Sequence, residues 1–393
     1  MTAFFAAAVA FGSAKEAFAL DCATLANPVY VPGTSLVRPF FAKVASKLAT
    51  DATSPITIVY QAKSTCVAYG QVSPGTPMTG TGVYWDATGE QSCDLPIAGV
   101  TPDVALGDLT WKTCFNVEQP ADVAPIQTFV QAVGFVVPKS STQVAITAEE
   151  CNVLFRYGAS AGKALAPWSD PQFIVVRNPN SSTQWLNGLA CGVPGNAFSA
   201  NLVNTNAVSA DVLAKVTAQN TTPNAEKTIG ILAADYYDSV RTNVKMLAFQ
   251  SYGQGCSGAF LPDSTAASFD KRNVRDGHYG TFGYTWGMAK AGVDKQPTSA
   301  GARTLLTYMA GTTVVNGADP IAEAAGIGLI PQCAMSVRRS TDGGELQSFT
   351  PDKPCGCYFE SKTPSPTTSC EACAANNTCS GTKVCRFGYC EGR

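Results

Sequence analysis

Apolar positions along this chain alternate between short β-branched runs and longer stretches at helical spacing. Pro28-Val29-Tyr30-Val31 predicts a strand, and Pro32-Gly33-Thr34-Ser35 a turn after it. From about Leu36 to Thr50, the residues Val37, Phe40, Phe41, Val44, Ala45 and Leu48 recur every three or four positions and predict an amphipathic helix. Ile56-Thr57-Ile58-Val59-Tyr60 predicts a second strand, and Val104-Ala105-Leu106-Gly107-Asp108 a strand ending in an acid. Phe129 to Val137 reads as a buried strand stopped by Pro138. Residues 70–100, rich in Gly, Thr and Pro, show no period and predict an irregular excursion closed by Cys93 and Cys114.

Thr147 to Phe155 predicts a helix with Thr147 as N-cap and Glu150 three residues later, a capping box. Phe173-Ile174-Val175-Val176 reads as a strand running straight into Arg177. The turn Asn178-Pro179-Asn180 follows, then Ser181-Ser182-Thr183, then a helix opening near Gln184-Trp185-Leu186. Val208 to Gln219 predicts a helix and Thr228 to Leu232 a strand. Ala302 to Ala310 is the clearest helix of the region 245–345. This alternation predicts an α/β fold with a mainly parallel sheet. After Thr350, prolines among Ser and Thr read as a linker. Cys370, Cys373, Cys379, Cys385 and Cys390 then crowd a tail with almost no aliphatic core, which needs covalent staples to fold. Cys370-x-x-Cys373 also fits a zinc knuckle, but the absence of nearby His and the export signal described next favour disulfides of open connectivity.

Composition narrows the function. A chain of 393 residues with 45% hydrophobic content supports two or three compact units. Net charge is −2 with only 14% charged residues, so no basic patch marks nucleic acid. Residues 1–19 are small and apolar, and Ala17-Phe18-Ala19 fits a cleavage site. They read as a signal peptide missing its basic start. No other run is long enough to span a bilayer, so the mature chain is expected to be periplasmic or secreted, without a transmembrane segment. Fifteen cysteines fit that oxidising setting, and their odd number leaves one unpaired or joined to another chain. A single histidine, His278, excludes multi-histidine zinc sites and any second His-dependent nucleophile. No Gly-x-Ser-x-Gly elbow is present. The expectation is a protein that is not an enzyme and has no metal or cofactor.

Three segments share one design. Gly33-Thr34-Ser35 ends a strand and opens a helix, Lys63-Ser64-Thr65 follows the second strand, and Arg177 with Ser181, Ser182 and Thr183 follows the third. Each offers hydroxyls and loop N–H groups at the carboxyl end of a strand, where open α/β sheets bind ligands. Arg177 adds charge-assisted donation to an oxyanion. Asp108 ends a fourth strand and accepts hydrogen bonds only, which suits a protonated anion such as HPO₄²⁻ and repels sulfate.

With these residues in place, the chain resembles the type II periplasmic substrate-binding proteins, in particular the phosphate-binding branch of ABC importers. The likeness rests on Val31-Pro32-Gly33-Thr34-Ser35, Tyr60-Gln61, Gly107-Asp108, Leu154-Phe155-Arg156-Tyr157-Gly158 and Trp168-Ser169-Asp170-Pro171. It continues with Arg177 and Ser181-Ser182-Thr183, and with Ile229-Gly230-Ile231. The sequence differs from the family at Ser64-Thr65-Cys66-Val67 and at Ser182, where glycines are usual. The resemblance implies a two-lobed fold with a ligand cleft between the lobes, plus the disulfide-rich tail. Lobe one would comprise residues 20–133 and 234–350, lobe two 134–233, and the linker and tail 351–393. Hinges would lie at Val133-Gly134-Phe135 and Leu232-Ala233-Ala234. The implied ligand is phosphate or a related small oxyanion held by Thr34, Ser35, Ser64, Thr65, Asp108, Arg177, Ser181, Ser182 and Thr183. An ABC permease or an envelope component would be the partner of a monomeric protein. Cys66 is expected to pair with Cys93 or Cys114, stapling the second loop beside the site. The alternative is a secreted or surface interaction protein on the same fold with a lost or changed ligand.

Overall fold

Strands form where β-branched residues run together and both faces are covered, and helices where an apolar stripe recurs. The computed structural model describes residues 20–160, 162–366, 369–375 and 378–392, so the signal peptide expected at 1–19 lies outside the described residues. The chain begins with β1 (Leu20–Asp21), β2 (Pro28–Gly33), α1 (Val37–Ala49), β3 (Thr57–Ala62), α2 (Thr65–Val72), β4 (Thr81–Asp86), β5 (Gly89–Asp94), β6 (Ala105–Gly107) and α3 (Trp111–Phe115). A long strand, β7 (Val123–Pro138), leads to β8 (Ala145–Thr147), α4 (Ala148–Tyr157), β9 (Ile174–Arg177), α5 (Ser182–Ala190), β10 (Thr205–Asn206) and α6 (Ser209–Thr217). Then come β11 (Ile229–Ala233), α7 (Ala234–Val240), β12 (Val244–Met246), β13 (Ala248–Gln250), α8 (Arg272–Arg275), β14 (Phe282–Lys290), α9 (Ala300–Ala310), α10 (Pro320–Ala325), β15 (Ile330–Pro331) and α11 (Gly356–Lys362).

One mixed sheet of thirteen strands runs β1-β5-β4-β3-β2-β6-β14-β7-β11-β9-β10, with β12 and β15 also paired to β7. Pairing is parallel in the β-α-β units, where β2 joins β3 and β6, and β9 joins β10 and β11. At the centre it is antiparallel, because β7 runs against β14, β11, β12 and β15. The mainly parallel sheet expected from the sequence is therefore largely confined to the β-α-β units, since β4 also runs antiparallel to β3 and β5, and β14 to β6. Two cores flank this centre. Val29, Val31, Ile58 and Tyr60 pack under Phe40, Phe41 and Val44 of α1 and Leu305 and Leu306 of α9. Phe135, Ile174, Val176 and Ile231 pack against Leu154 and Phe155 of α4 and Val212 and Val216 of α6. The result is a two-lobed α/β fold with a cleft between the lobes.

Residues 70–100 depart from the expected irregular excursion. They contain the β4–β5 hairpin, whose turn Ala87-Thr88-Gly89 places Gly89 at φ 114°. Nor do Cys93 and Cys114 close that region together. Cys93 pairs with Cys22 near the N-terminus of the described chain, and Cys114 pairs with Cys66. The second bridge is one of the two alternatives expected for Cys66, and it ties α2 to α3. Cys151–Cys191 and Cys333–Cys355 complete the body.

The tail is stapled by Cys357–Cys370, Cys373–Cys385 and Cys379–Cys390. These bridges consume the sulfurs of the zinc-knuckle alternative. Within the expected linker, α11 docks on the body. Phe359 is fully buried and Arg275 lies 2.7 Å from Glu360. The Glu391 carboxylate accepts the amides of Cys357 and Tyr358. Cys256 is the unpaired cysteine and is exposed. No helix among the described residues is long and apolar enough to cross a membrane. The double substitution Cys66→Ala/Cys114→Ala is expected to cost about 2–4 kcal/mol of stability, read as a lower urea midpoint with unchanged secondary structure by circular dichroism. An unmoved midpoint would show that the bridge adds no constraint.

Candidate ligand-binding cleft

Five helices begin just beyond strands of the sheet with their first residues on one cleft of about 760 Å³; four of them, α1, α2, α5 and α6, bring hydroxyls, and the fifth, α7, brings Asp235 and Tyr236. Thr34 and Ser35 come from the start of α1, Ser64 and Thr65 from α2, Ser181, Ser182 and Thr183 from α5, and Ser209 from α6. With Asp108 and Arg177, all nine residues singled out in the sequence line this one cleft. None of these four helices has a side-chain cap hydrogen bond. By contrast, Thr110 caps α3, Thr147 and Glu150 form the expected capping box on α4, Ser299 caps α9 and Asp319 caps α10. An uncapped first turn leaves N–H donors and the positive end of the helix dipole open, although in α1 the Val37 and Arg38 amides already donate to the Thr34 and Ser35 carbonyls at 3.3 Å. Several of them around one space make an environment for an anion.

Arg177, the last residue of β9, is only 9% exposed. Its Nη1 donates to Ser209 Oγ at 2.8 Å and its Nη2 to the Ala207 carbonyl at 2.8 Å. Its Nε is buried without a partner, and neither of its bonds is to a carboxylate. Burial lowers its pKa, with Asp211 pulling the other way. A buried guanidinium in this state gains from an incoming anion.

Asp108 follows β6 and is 1% exposed. Its amide donates to Thr65 Oγ1 at 3.1 Å, so the fully buried Thr65 positions it. Its Oδ2 accepts from Ser182 Oγ at 2.8 Å, joining the two sides of the cleft, and Thr285 Oγ1 donates to Oδ1 at 3.4 Å. Burial raises the carboxyl to about 6, against the lowering effect of the Ser182 hydroxyl. Thr34 Oγ1 is buried close enough to the same carboxyl to help lower its pKa, though outside hydrogen-bond geometry.

Sequence reasoning did not select Asp235, Gln131, Arg38 or Ser209, all of which also line the cleft. Gln131 Nε2 donates to Asp235 Oδ1 at 2.7 Å, and burial raises Asp235 to about 7. Asp235 comes two residues after β11, so the rule that picked Asp108 at a strand end would have found it. Arg38 is neutralised by a bidentate pair with Glu90. Lys63 also lines the cleft, ahead of α2. His278 lies elsewhere. It is exposed, and its Nδ1 sits 2.7 Å from Asp276.

No protein-family model matches the sequence, and no curated protein matches it. Solved structures do match its fold. A candidate phosphate ABC transporter substrate-binding protein from Clostridium perfringens, with phosphate bound, aligns with 78% of this chain and 99% of its own at 12% identity and a TM-score of 0.50. A phosphate-binding protein from Stenotrophomonas maltophilia covers 78% of this chain and 91% of its own at 18% identity, with a TM-score of 0.42. An ABC-type phosphate transport receptor from Vibrio cholerae covers 72% and 93% at 12% identity, with a TM-score of 0.45. The likeness to the first is one of fold. This chain shares the overall fold of that structure.

The raised carboxyls fix a direction for pH dependence. An acid whose pKa is higher in the folded state stabilises most below its unfolded value and loses that contribution as pH rises through the folded value. Asp108 moves from 3.8 to about 6, which corresponds to roughly 3 kcal/mol across the interval. In buffer free of small oxyanions, thermal stability is expected to fall between about pH 4 and pH 6, and less steeply in Asp108→Asn. Parallel pH profiles for the two proteins would exclude titration of Asp108 in that window.

Proposed function

We propose that this chain is an exported solute-binding protein that captures phosphate or a related small protonated oxyanion between its lobes. The observation that carries the proposal is the convergence of four uncapped helix N-termini and the Arg177 guanidinium on the buried Asp108 carboxyl. The donors suit the bare oxygens of the anion. Asp108 suits the oxygen that still bears a proton, which HPO₄²⁻ has and sulfate lacks at neutral pH. A fully deprotonated anion would place oxygen against carboxylate without an intervening hydrogen, so the same group that fixes phosphate disfavours sulfate.

On this reading, lobe one comprises residues 20–133 and 234–350 and lobe two 134–233, with hinges at Val133-Gly134-Phe135 and Leu232-Ala233-Ala234. The two hinge segments are neighbours in the sheet, Leu232 opposite Gly134 and Ala233 opposite Val133. Bending there is shared by both, and the Ser182–Asp108 hydrogen bond is the contact that an entering ligand competes for. Export agrees with seven disulfides. Delivery to an ABC permease is the role this fold and ligand suggest.

Thermal unfolding against phosphate, arsenate, sulfate and nitrate tests the proposal. Phosphate at about a hundred times its dissociation constant should add roughly 2.7 kcal/mol, and sulfate should add far less. Arg177→Ala is expected to remove most of the phosphate response. Asp108→Asn is expected to narrow the gap between phosphate and sulfate. A flat response of the wild-type protein to all four anions overturns the reading.

A further inference from the structure

A second and larger cavity, of about 1230 Å³, lies at the other end of α5 from the cleft. The first residues of α5 face the cleft, whereas Leu186, Leu189 and Ala190 face this cavity. Its other walls are α4, the loop 251–258 and the segment 339–346. Apolar surface comes from Leu186, Leu189, Phe249, Phe260, Phe282 and Leu346. Into this lining is set Arg339, only 6% exposed.

Arg339 is a buried cation without a direct ion pair, and the nearby Asp342 carboxylate offsets its desolvation only through space. Its Nη2 donates to the Gly280 carbonyl at 2.7 Å, its amide donates to the Tyr284 hydroxyl at 3.0 Å, and its guanidinium stacks 4.0 Å from the Phe282 ring centre. Its Nε has no partner. Among the described residues no carboxylate forms an ion pair with it. Asp342, three residues on, turns its Oδ2 to the amide and hydroxyl of Thr110 and the hydroxyl of Thr113 instead. Buried charges in proteins are otherwise paired or hydrogen-bonded throughout, because desolvating a lone ion is costly. Contrast Lys271, fully buried and held between Asp238 and Asp263. Desolvation also pulls the Arg339 pKa down to about 10, with Tyr284 and Asp342 acting the other way, and an anion at the guanidinium would raise it further.

We propose that this cavity is a second ligand site, taking a small organic monocarboxylate whose apolar or aromatic body fills the space and whose carboxylate pairs with Arg339. The monoanion follows from the lining. Arg339 is its single Lys or Arg, while Glu149 and Glu345, both exposed, stand at its edge and repel further negative charge. A planar carboxylate matches a guanidinium edge. The body follows from the phenylalanine and leucine walls, which a bare inorganic anion leaves in contact with water. The site is separate from the oxyanion cleft, so it stands or falls independently of the function proposed above.

Isothermal titration with phenylacetate tests this, with acetate, 2-phenylethanol and phenyl phosphate as comparators, in buffer both without and with excess phosphate. Phenylacetate is expected to bind one to one and at least roughly tenfold more tightly than acetate or 2-phenylethanol, a gap of about 1.4 kcal/mol. Arg339→Gln should abolish that preference. Leu346→Trp, which narrows the cavity and keeps the arginine, should weaken phenylacetate in the same way and guards against misfolding of the first variant. Phosphate affinity should be unchanged in both. Absence of phenylacetate binding, equal binding of 2-phenylethanol, tighter binding of phenyl phosphate, or competition between phenylacetate and phosphate would each overturn the proposal.

Discussion

The backbone of β7 has to be satisfied along its whole buried length, and the rest of the fold is arranged around that demand. Thr128 to Pro138 are buried without interruption. An unpaired N–H or C=O there would cost as much as a lost hydrogen bond. Residues 123–132 therefore pair with β14, and Val133 to Val136 pair with β11 on the other lobe's side. The partner changes at Ala132 and Val133. Gln131 of β7 and Ala233 at the end of β11 both face the cleft, so the cleft sits at this exchange of partners. Gly134 is required beside it, since a Cβ there would lie 2.5 Å from the Tyr279 hydroxyl.

The chemistry of the cleft runs against local stability. A side-chain cap contributes on the order of 1 kcal/mol per helix, and the chain uses such caps on α3, α4, α9 and α10. It leaves α1, α2, α5 and α6 without them on the face where a ligand could supply the same hydrogen bonds. Two buried carboxyls and a buried arginine occupy the same space, each perturbed first of all by loss of water. The carboxyls are hydrogen-bonded by Ser182, Thr285 and Gln131, whereas the Arg177 Nε is left without a partner.

What could be read from the sequence was local. Strand, turn and helix N-terminus follow one another within ten residues at Val31 to Val37 and at Val175 to Thr183, so the hydroxyl loops and Arg177 were legible from spacing alone. The stripe Val37, Phe40, Phe41, Val44, Ala45, Leu48 is buried as its period implies. The hairpin at 81–94 was not legible, because its burial pattern alternates poorly and part of its covering is the Cys22–Cys93 bridge from outside the segment. The antiparallel centre was hidden for a related reason. A strand's direction depends on distant partners, and β7 finds its partners more than a hundred residues away in β14. Arg339 carries no motif at all; its isolation emerges only when four separate segments enclose it.

The insertion of β14 between β6 and β7 has a consequence for biosynthesis. β6 ends at Gly107 and β7 at Pro138, but the strand that joins them in the sheet begins only at Phe282. A polypeptide emerging N-terminus first therefore carries two bare strand edges until nearly three quarters of it has been made. The strands β9, β10 and β11 meet no such delay, since they are close together in the chain. The nascent protein is thus exposed to wrong pairing along one seam, for as long as translation takes to reach β14.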